Sequence, residues 1–123
     1  MLTHRWNACC KRYNMSCEYN FILVQITTTN ETEAQHLAKM LLKQRKAACI
    51  NIIPQINTFY RWNNKIEGRT ECLMLVKTQR TLLNNIVKLV KAHHSYRIPE
   101  IIATPLHGGS EEYLAWLLSE TQA

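Results

Sequence analysis

The spacing of apolar and polar residues along the chain predicts four strands and three helices. Runs rich in β-branched and aromatic residues predict strands at 19–27, 47–62, 71–77 and 100–106. Apolar residues recurring three and four positions apart predict amphipathic helices over 31–46, from residue 82 to about 91, and after Ser110. The order β-α-β-β-α-β with an added C-terminal helix is typical of the ferredoxin-like α+β fold, an antiparallel sheet with two helices on one face.

The second predicted strand is unusually long. At roughly 3.3 Å per residue, positions 47–62 would reach ~50 Å, well beyond a typical strand. Pro54 has no amide hydrogen, so it predicts a bulge or bend that divides an inner half from an outer half, Ile56–Trp62. A polar turn is predicted at 63–68. The outer half then lacks a partner strand, and we expect a second copy of the chain to supply one.

The predicted sheet is apolar on both faces. Consecutive strand residues point to opposite faces, and pairs such as Phe21 with Ile22 and Leu73 with Met74 are both apolar. Because the two helices cover only one face, the other is expected to be buried against further subunits.

Length and composition indicate one globular domain, which we place at residues 19–123. The chain has 123 residues, 46% of them apolar, and a formal charge of +6. The cations are scattered rather than gathered into a stripe, so nucleic acid is not an expected partner. Residues 1–18 are expected to be a disordered extension, or the product of a start site upstream of a true initiator at Met15.

Composition also excludes several kinds of site. The nine acidic residues are all glutamate, which rules out aspartic dyads and Ser-His-Asp triads. Three glycines are too few for a dinucleotide fingerprint or a P-loop. Five cysteines without a CxxC pair argue against a disulfide framework or a zinc knuckle. We expect a cytoplasmic protein that does not span a membrane and is not an enzyme.

Several motifs together resemble those of the CutA-type divalent-cation tolerance proteins. They fall in one order over nearly all of 19–119 and read AACINIIP, FYRW, ECLMLVKT, HHSYRIPEI and EYLAWL. The resemblance implies a ferredoxin-like homotrimer whose long second strand reaches the neighbouring subunit. The chain departs from the family at Ser95, where proline is common, and at Arg97, where an acid is frequent.

The resemblance also implies candidate sites. Cys49 and His94 occupy positions linked to copper or other divalent metals in some family members, so they are the candidate metal ligands, with Cu²⁺ as the implied ion. A free cysteine in an apolar strand is alternatively a small buried hydrophobe. A second set of polar-tipped aromatic and charged residues suits a ligand cleft or a subunit interface: Tyr60, Trp62, Lys77, Tyr96 and Glu100.

Two functions remain open from the sequence. The first is a trimeric divalent-cation tolerance or signalling protein that binds a metal ion or small ligand at clefts between subunits. The second is a purely structural or partner-binding trimer with no specific metal site.

Overall fold

The computed structural model describes residues 20–122 and confirms the predicted order of elements. The expectations for residues 1–18 lie outside this range. The elements are β1 (Phe21–Thr28), α1 (Glu31–Lys43), β2 (Cys49–Trp62), β3 (Lys65–Gln79), α2 (Leu83–His93), β4 (Ile101–Pro105) and α3 (Glu111–Glu120), with a short 3-10 turn (Arg80–Leu82) before α2. Among the described helices, none is long and apolar enough to cross a membrane.

The four strands form one antiparallel sheet in the order β2-β3-β1-β4. The main core lies between one sheet face and the helices α1 and α2. Its sheet residues occupy alternate positions along each strand, so they share a face, and its fully buried members include Val24, Ile26, Met74 and Val76. This arrangement confirms the predicted ferredoxin-like fold.

The C-terminal helix α3 packs on the opposite face, at one end of the sheet. Phe21, whose neighbour Ile22 belongs to the main core, forms a separate cluster with Leu114 and Leu117 of α3. The rest of that face carries only partly buried apolar residues, such as Leu73 and Leu75. The sequence predicted a bare face here, and α3 leaves most of it open.

A β-bulge interrupts β2 where Pro54 predicted it. Ile53 pairs with Leu73 and Ile56 pairs with Glu71, so two residues of β2 stand opposite one residue of β3. Gln55, inside the bulge, has a φ of 57°. Bulges of this kind bend a strand and increase its twist, and the bend directs the outer half of β2 away from the four-stranded sheet.

The predicted turn at 63–68 was wrong, and so was the absence of an intramolecular partner for the outer half of β2. The turn comprises only Asn63 and Asn64, whose φ angles of 50° and 61° suit a two-residue hairpin. From Lys65 onward the chain returns as β3, so Ile56–Trp62 pairs with Lys65–Glu71. We call this two-stranded hairpin the ribbon. Its returning strand is mostly polar and exposed, so its sequence pattern resembles that of a loop.

Helix α1 begins as predicted and ends earlier. The Asn30 side chain accepts a hydrogen bond of 2.9 Å from the Glu33 amide, as expected of an N-cap. The helix stops at Lys43 rather than near Lys46 because Arg45 adopts a φ of 57°. The Arg45 amide donates to Leu42 and the Lys46 amide to Leu41, at 3.0 and 2.9 Å. These two bonds form a Schellman motif, which closes the helix.

Candidate functional site

The predicted metal ligand Cys49 lies at the start of β2, directly opposite Lys77 of β3. The Lys77 Nζ atom is 3.7 Å from the Cys49 Sγ atom and also donates to the side-chain oxygen of Asn51. The Tyr113 hydroxyl of α3 completes this group, and burial together with a hydrogen bond to Cys49 raises the pKa of Tyr113. The thiol therefore has a lysine neighbour from β3 and a tyrosine neighbour from α3, and the same lysine also contacts Asn51 of β2.

The other predicted ligand, His94, follows α2 and has a fully buried side chain. Its Nε2 atom lies 2.7 Å from the Thr27 carbonyl oxygen, and the Tyr96 amide donates to its Nδ1 atom at 2.9 Å. Because an amide can only donate, Nδ1 is the acceptor and the proton sits on Nε2. Both ring nitrogens are thus occupied by the protomer's own backbone.

Cys49 and His94 are not brought together within one protomer. Thr27, which contacts His94, pairs with Leu73, whereas Cys49 pairs with Lys77. Leu73 and Lys77 are four residues apart along β3, a distance of about 13 Å. Within residues 20–122, no three histidine, cysteine, aspartate or glutamate side chains are grouped as metal ligands would be. Cys49 and His94 remain predicted metal ligands, and a single protomer does not bring the two side chains together.

The structure does bring Tyr60 and Tyr96 together, through Arg69 of the ribbon. The Arg69 guanidinium carbon is 5.3 Å from the centre of the Tyr60 ring and 5.0 Å from that of Tyr96, within the range of cation–π contacts. A hydrogen bond to Tyr96 is the largest cause that raises the pKa of Arg69. Arg69 was not predicted from the sequence.

Tyr96 also reaches a buried acid that sequence reasoning did not assign to the site. Its hydroxyl donates a hydrogen bond of 2.7 Å to the Oε2 atom of Glu71, a residue that is only 4% exposed. Burial and this hydrogen bond raise the pKa of Tyr96, so the phenol keeps its proton and remains a donor. Among the described residues, Tyr96 is the only one whose side chain donates to the Glu71 carboxylate.

Glu33 fixes the loop that carries His94 and Tyr96. Its carboxylate accepts hydrogen bonds from the Thr29 amide at 3.0 Å and from the Ser95 amide at 2.7 Å, and it lies 3.9 Å from His94 Nδ1. Burial alone would raise the pKa of Glu33, but hydrogen bonds from Thr29 and Ser95, together with the nearby His94, outweigh it, and the pKa is lowered. The sequence identified Glu33 only as part of a helix cap.

We call the set formed by Glu33, Tyr60, Arg69, Glu71, His94 and Tyr96 the Tyr96 network. The remaining predicted cleft residues fall elsewhere. Trp62 lies beside the hairpin turn and is 55% exposed, Lys77 is next to Cys49, and Glu100 is exposed just before β4. The network presents an exposed guanidinium and two partly exposed phenol rings at the base of the ribbon, a surface suited to a polar ligand or a protein partner.

Comparison with known proteins identifies the family. The family model described as CutA1 divalent ion tolerance protein matches residues 22–120. The "Divalent-cation tolerance protein CutA" of Thermus thermophilus is 41% identical over 99 residues, which are 80% of this chain and 96% of that protein. The "Protein CutA, chloroplastic" of Arabidopsis thaliana is 39% identical over 101 residues, which are 82% of this chain. The chain spans only about half, 56%, of that plant relative.

Solved structures agree with this assignment. The crystal structure of CutA1 from Oryza sativa superposes with a TM-score of 0.82 at 37% identity, covering 85% of this chain and 96% of that one. The structure described as the periplasmic divalent cation tolerance protein CutA from Archaeoglobus fulgidus gives 0.81 at 39% identity, covering 83% and 99%. The chain therefore belongs to the CutA1 divalent ion tolerance protein family.

Proposed function

We propose that this protein is a non-catalytic, cytoplasmic homotrimer that acts in divalent-cation tolerance or signalling. It binds a metal ion, with copper as the leading candidate, or a small ligand at clefts between subunits. The observation that carries the proposal is the ribbon. Phe59, Trp62 and Ile66 on it are 75%, 55% and 75% exposed in the protomer. Apolar patches of this kind typically mark interaction sites.

The ribbon also needs support that the protomer does not give it. An isolated two-stranded hairpin is marginally stable in water, and within the described chain β1 pairs with β3 only over Cys72–Gln79. Ile98 and Ile102, before and within the edge strand β4, are 72% and 53% exposed. A ribbon from a neighbouring copy lying along this edge would cover both apolar surfaces at once.

The Tyr96 network supports a cleft at such an interface. The Glu71 carboxylate is buried, and a buried charge is costly unless it is well supplied with donors. Within the described residues its side-chain donor is Tyr96 alone, while Arg69 keeps several N–H groups that two tyrosine rings hold in place. A neighbouring subunit or a ligand can supply further hydrogen-bond donors to Glu71 and acceptors to Arg69.

The non-catalytic part of the proposal rests on the separation of Cys49 and His94. A cysteine nucleophile needs a base within about 3 Å, whereas Lys77, opposite Cys49, and Leu73, opposite the His94 contact Thr27, are four residues or about 13 Å apart along β3. Cys49 and Cys72 are free thiols, which supports the proposed reducing compartment.

The second candidate, a structural or partner-binding trimer without a specific metal site, is favoured by a particular observation. Both His94 nitrogens and both Glu33 oxygens already have partners within the protomer. A metal could use these groups only by displacing existing hydrogen bonds.

Titration calorimetry with Cu²⁺ and Zn²⁺ on the assembled protein separates the two candidates. The test variants are His94→Gln and Cys49→Ser, and the control is His93→Gln, which changes an exposed histidine next to His94. The metal proposal expects tight binding by the wild type and the control, and at least tenfold weaker binding by a test variant. Equal, weak binding by all four proteins would leave the structural trimer as the function.

A further inference from the structure

A concave groove of about 320 Å³ lies between the C-terminal end of α1 and helix α3. It shares no residue with the Tyr96 network. Its volume falls at the lower end of the range for small-molecule sites, about 300–1,000 Å³. Four apolar residues and three charged ones contribute to its walls and rim: Leu42, Ala47, Ala48, Trp116, Lys43, Arg45 and Glu120.

Two large apolar side chains of the groove remain open to solvent. Leu42 is 40% and Trp116 is 41% exposed, although both line a concave surface. The indole of Trp116 packs against the Tyr113 ring, with 5.5 Å between the ring centres, so its orientation is constrained before any ligand arrives. A wall formed by a positioned indole suits a flat apolar ring.

The charges on the rim favour an anion. Lys43 and Arg45 supply two positive charges, and Glu120 supplies one negative charge. The Arg45 guanidinium lies 3.5 Å from the Glu120 carboxylate, with both side chains about half exposed. Exposed ion pairs of this kind are weak, so the guanidinium can turn towards a ligand carboxylate or phosphate, which it binds in a two-pronged geometry.

The backbone at Arg45 points to a role beyond folding. Its φ of 57° closes the Schellman motif, a position where glycine is usual because other residues are strained in this conformation. The weak pair with Glu120 offers little compensation. A strained non-glycine residue at the rim of a cavity is the kind of outlier that marks a functional site.

We propose that this groove is a second ligand site, independent of the proposed function, for a small aromatic anion: a flat ring bearing a carboxylate or phosphate. The ring lies against Trp116 between α1 and α3. The anionic group is bound by Arg45 and Lys43.

The first experiment compares 2-naphthoate with its uncharged analogue 2-naphthamide on the full-length ¹⁵N-labelled protein. The chain has three tryptophans, and each gives one indole N–H resonance that a Trp→Phe variant assigns. We expect 2-naphthoate to shift the Trp116 resonance and to bind about tenfold more tightly than the amide, as for one charge-assisted hydrogen bond. Equal affinity of the two probes, or a shift confined to the other indoles, would overturn the proposal.

The second experiment separates binding from folding. Arg45→Gly should weaken 2-naphthoate binding about tenfold while leaving the melting temperature unchanged or higher, because glycine relieves the strained conformation. Lys43→Gln should weaken binding in the same direction. Lys39→Gln, which removes the same charge from an exposed position of the same helix outside the groove, should bind like the wild type. Unchanged affinity in Arg45→Gly would show that no anion is bound there.

Discussion

Truncating two of the three aromatic residues of the ribbon, Phe59→Ala with Trp62→Ala, should dissociate the proposed trimer. The two side chains are 75% and 55% exposed in the protomer. An aromatic side chain carries about 150–250 Å², so together they offer about 250 Å² for burial, worth about 6 kcal/mol per protomer at ~25 cal/mol/Å². This figure is an upper limit because association has its own entropic cost. Even so, a loss of ~2 kcal/mol for each truncated interface aromatic is typical.

Light scattering coupled to size-exclusion chromatography measures the outcome. The wild type should elute at three times the chain mass of 14.4 kDa, and the double variant should elute as smaller species or aggregate, since its apolar sheet face becomes exposed. Lys39→Ala, on the exposed side of α1, should leave the mass unchanged. A wild-type protein that elutes as a stable monomer would refute the reasoning from both the ribbon and the open sheet face.

Three further changes test the site and the hairpin. Tyr96→Phe removes the donor to Glu71 and should lower the free energy of unfolding by about 1.5–3 kcal/mol in urea denaturation. The loss should be smaller when the same change is made in a Glu71→Gln variant. If the losses of the two single variants simply add in the double variant, the hydrogen bond contributes nothing to stability. Because the fold lowers the pKa of Glu33, its contribution is present above its ordinary value of 4.5 and is lost as the pH falls through the folded pKa. Glu33→Gln should therefore unfold more easily than the wild type at pH 7 and equally at low pH, and Ser95→Pro, which removes the amide and hydroxyl donors of Ser95, should reduce this pH dependence. Asn64→Gly should raise the melting temperature slightly, because glycine adopts positive φ without strain; a lower value would count against the turn geometry.

Local patterns in the sequence predicted most of the fold. The Asn30 cap, the bulge at Pro54 and the apolar spacing of the helices are each determined by a few neighbouring residues. The returning strand of the ribbon was missed for a related reason. Both faces of Lys65–Thr70 are exposed, so this stretch lacks the apolar run that identifies a buried strand. Two consecutive asparagines, which tolerate positive φ, were the available signal for a tighter turn.

The candidate site was harder to predict because its contacts join distant parts of the chain. Glu33 and Ser95 are 62 residues apart, and Tyr96 and Glu71 are 25 apart. Sequence reasoning selected Tyr60 and Tyr96 by residue type, but the cation that joins them was not visible without the β2–β3 register. Arg69 pairs with Thr58 of β2, and it falls between the predicted turn at 63–68 and the predicted strand at 71–77, where a cation is unremarkable.

A ligand of the Tyr96 network would bind the side chains that still have free hydrogen-bond donors or acceptors. Glu33 and His94 are occupied by backbone groups of their own protomer, so they position the loop rather than receive a ligand. Glu71 and Arg69 retain capacity, but one is a buried acid and the other an exposed base, a combination that suits a polar partner group better than a bare cation. A metal titration is therefore informative only on the assembled protein, where a neighbouring subunit can add the ligands that one protomer lacks.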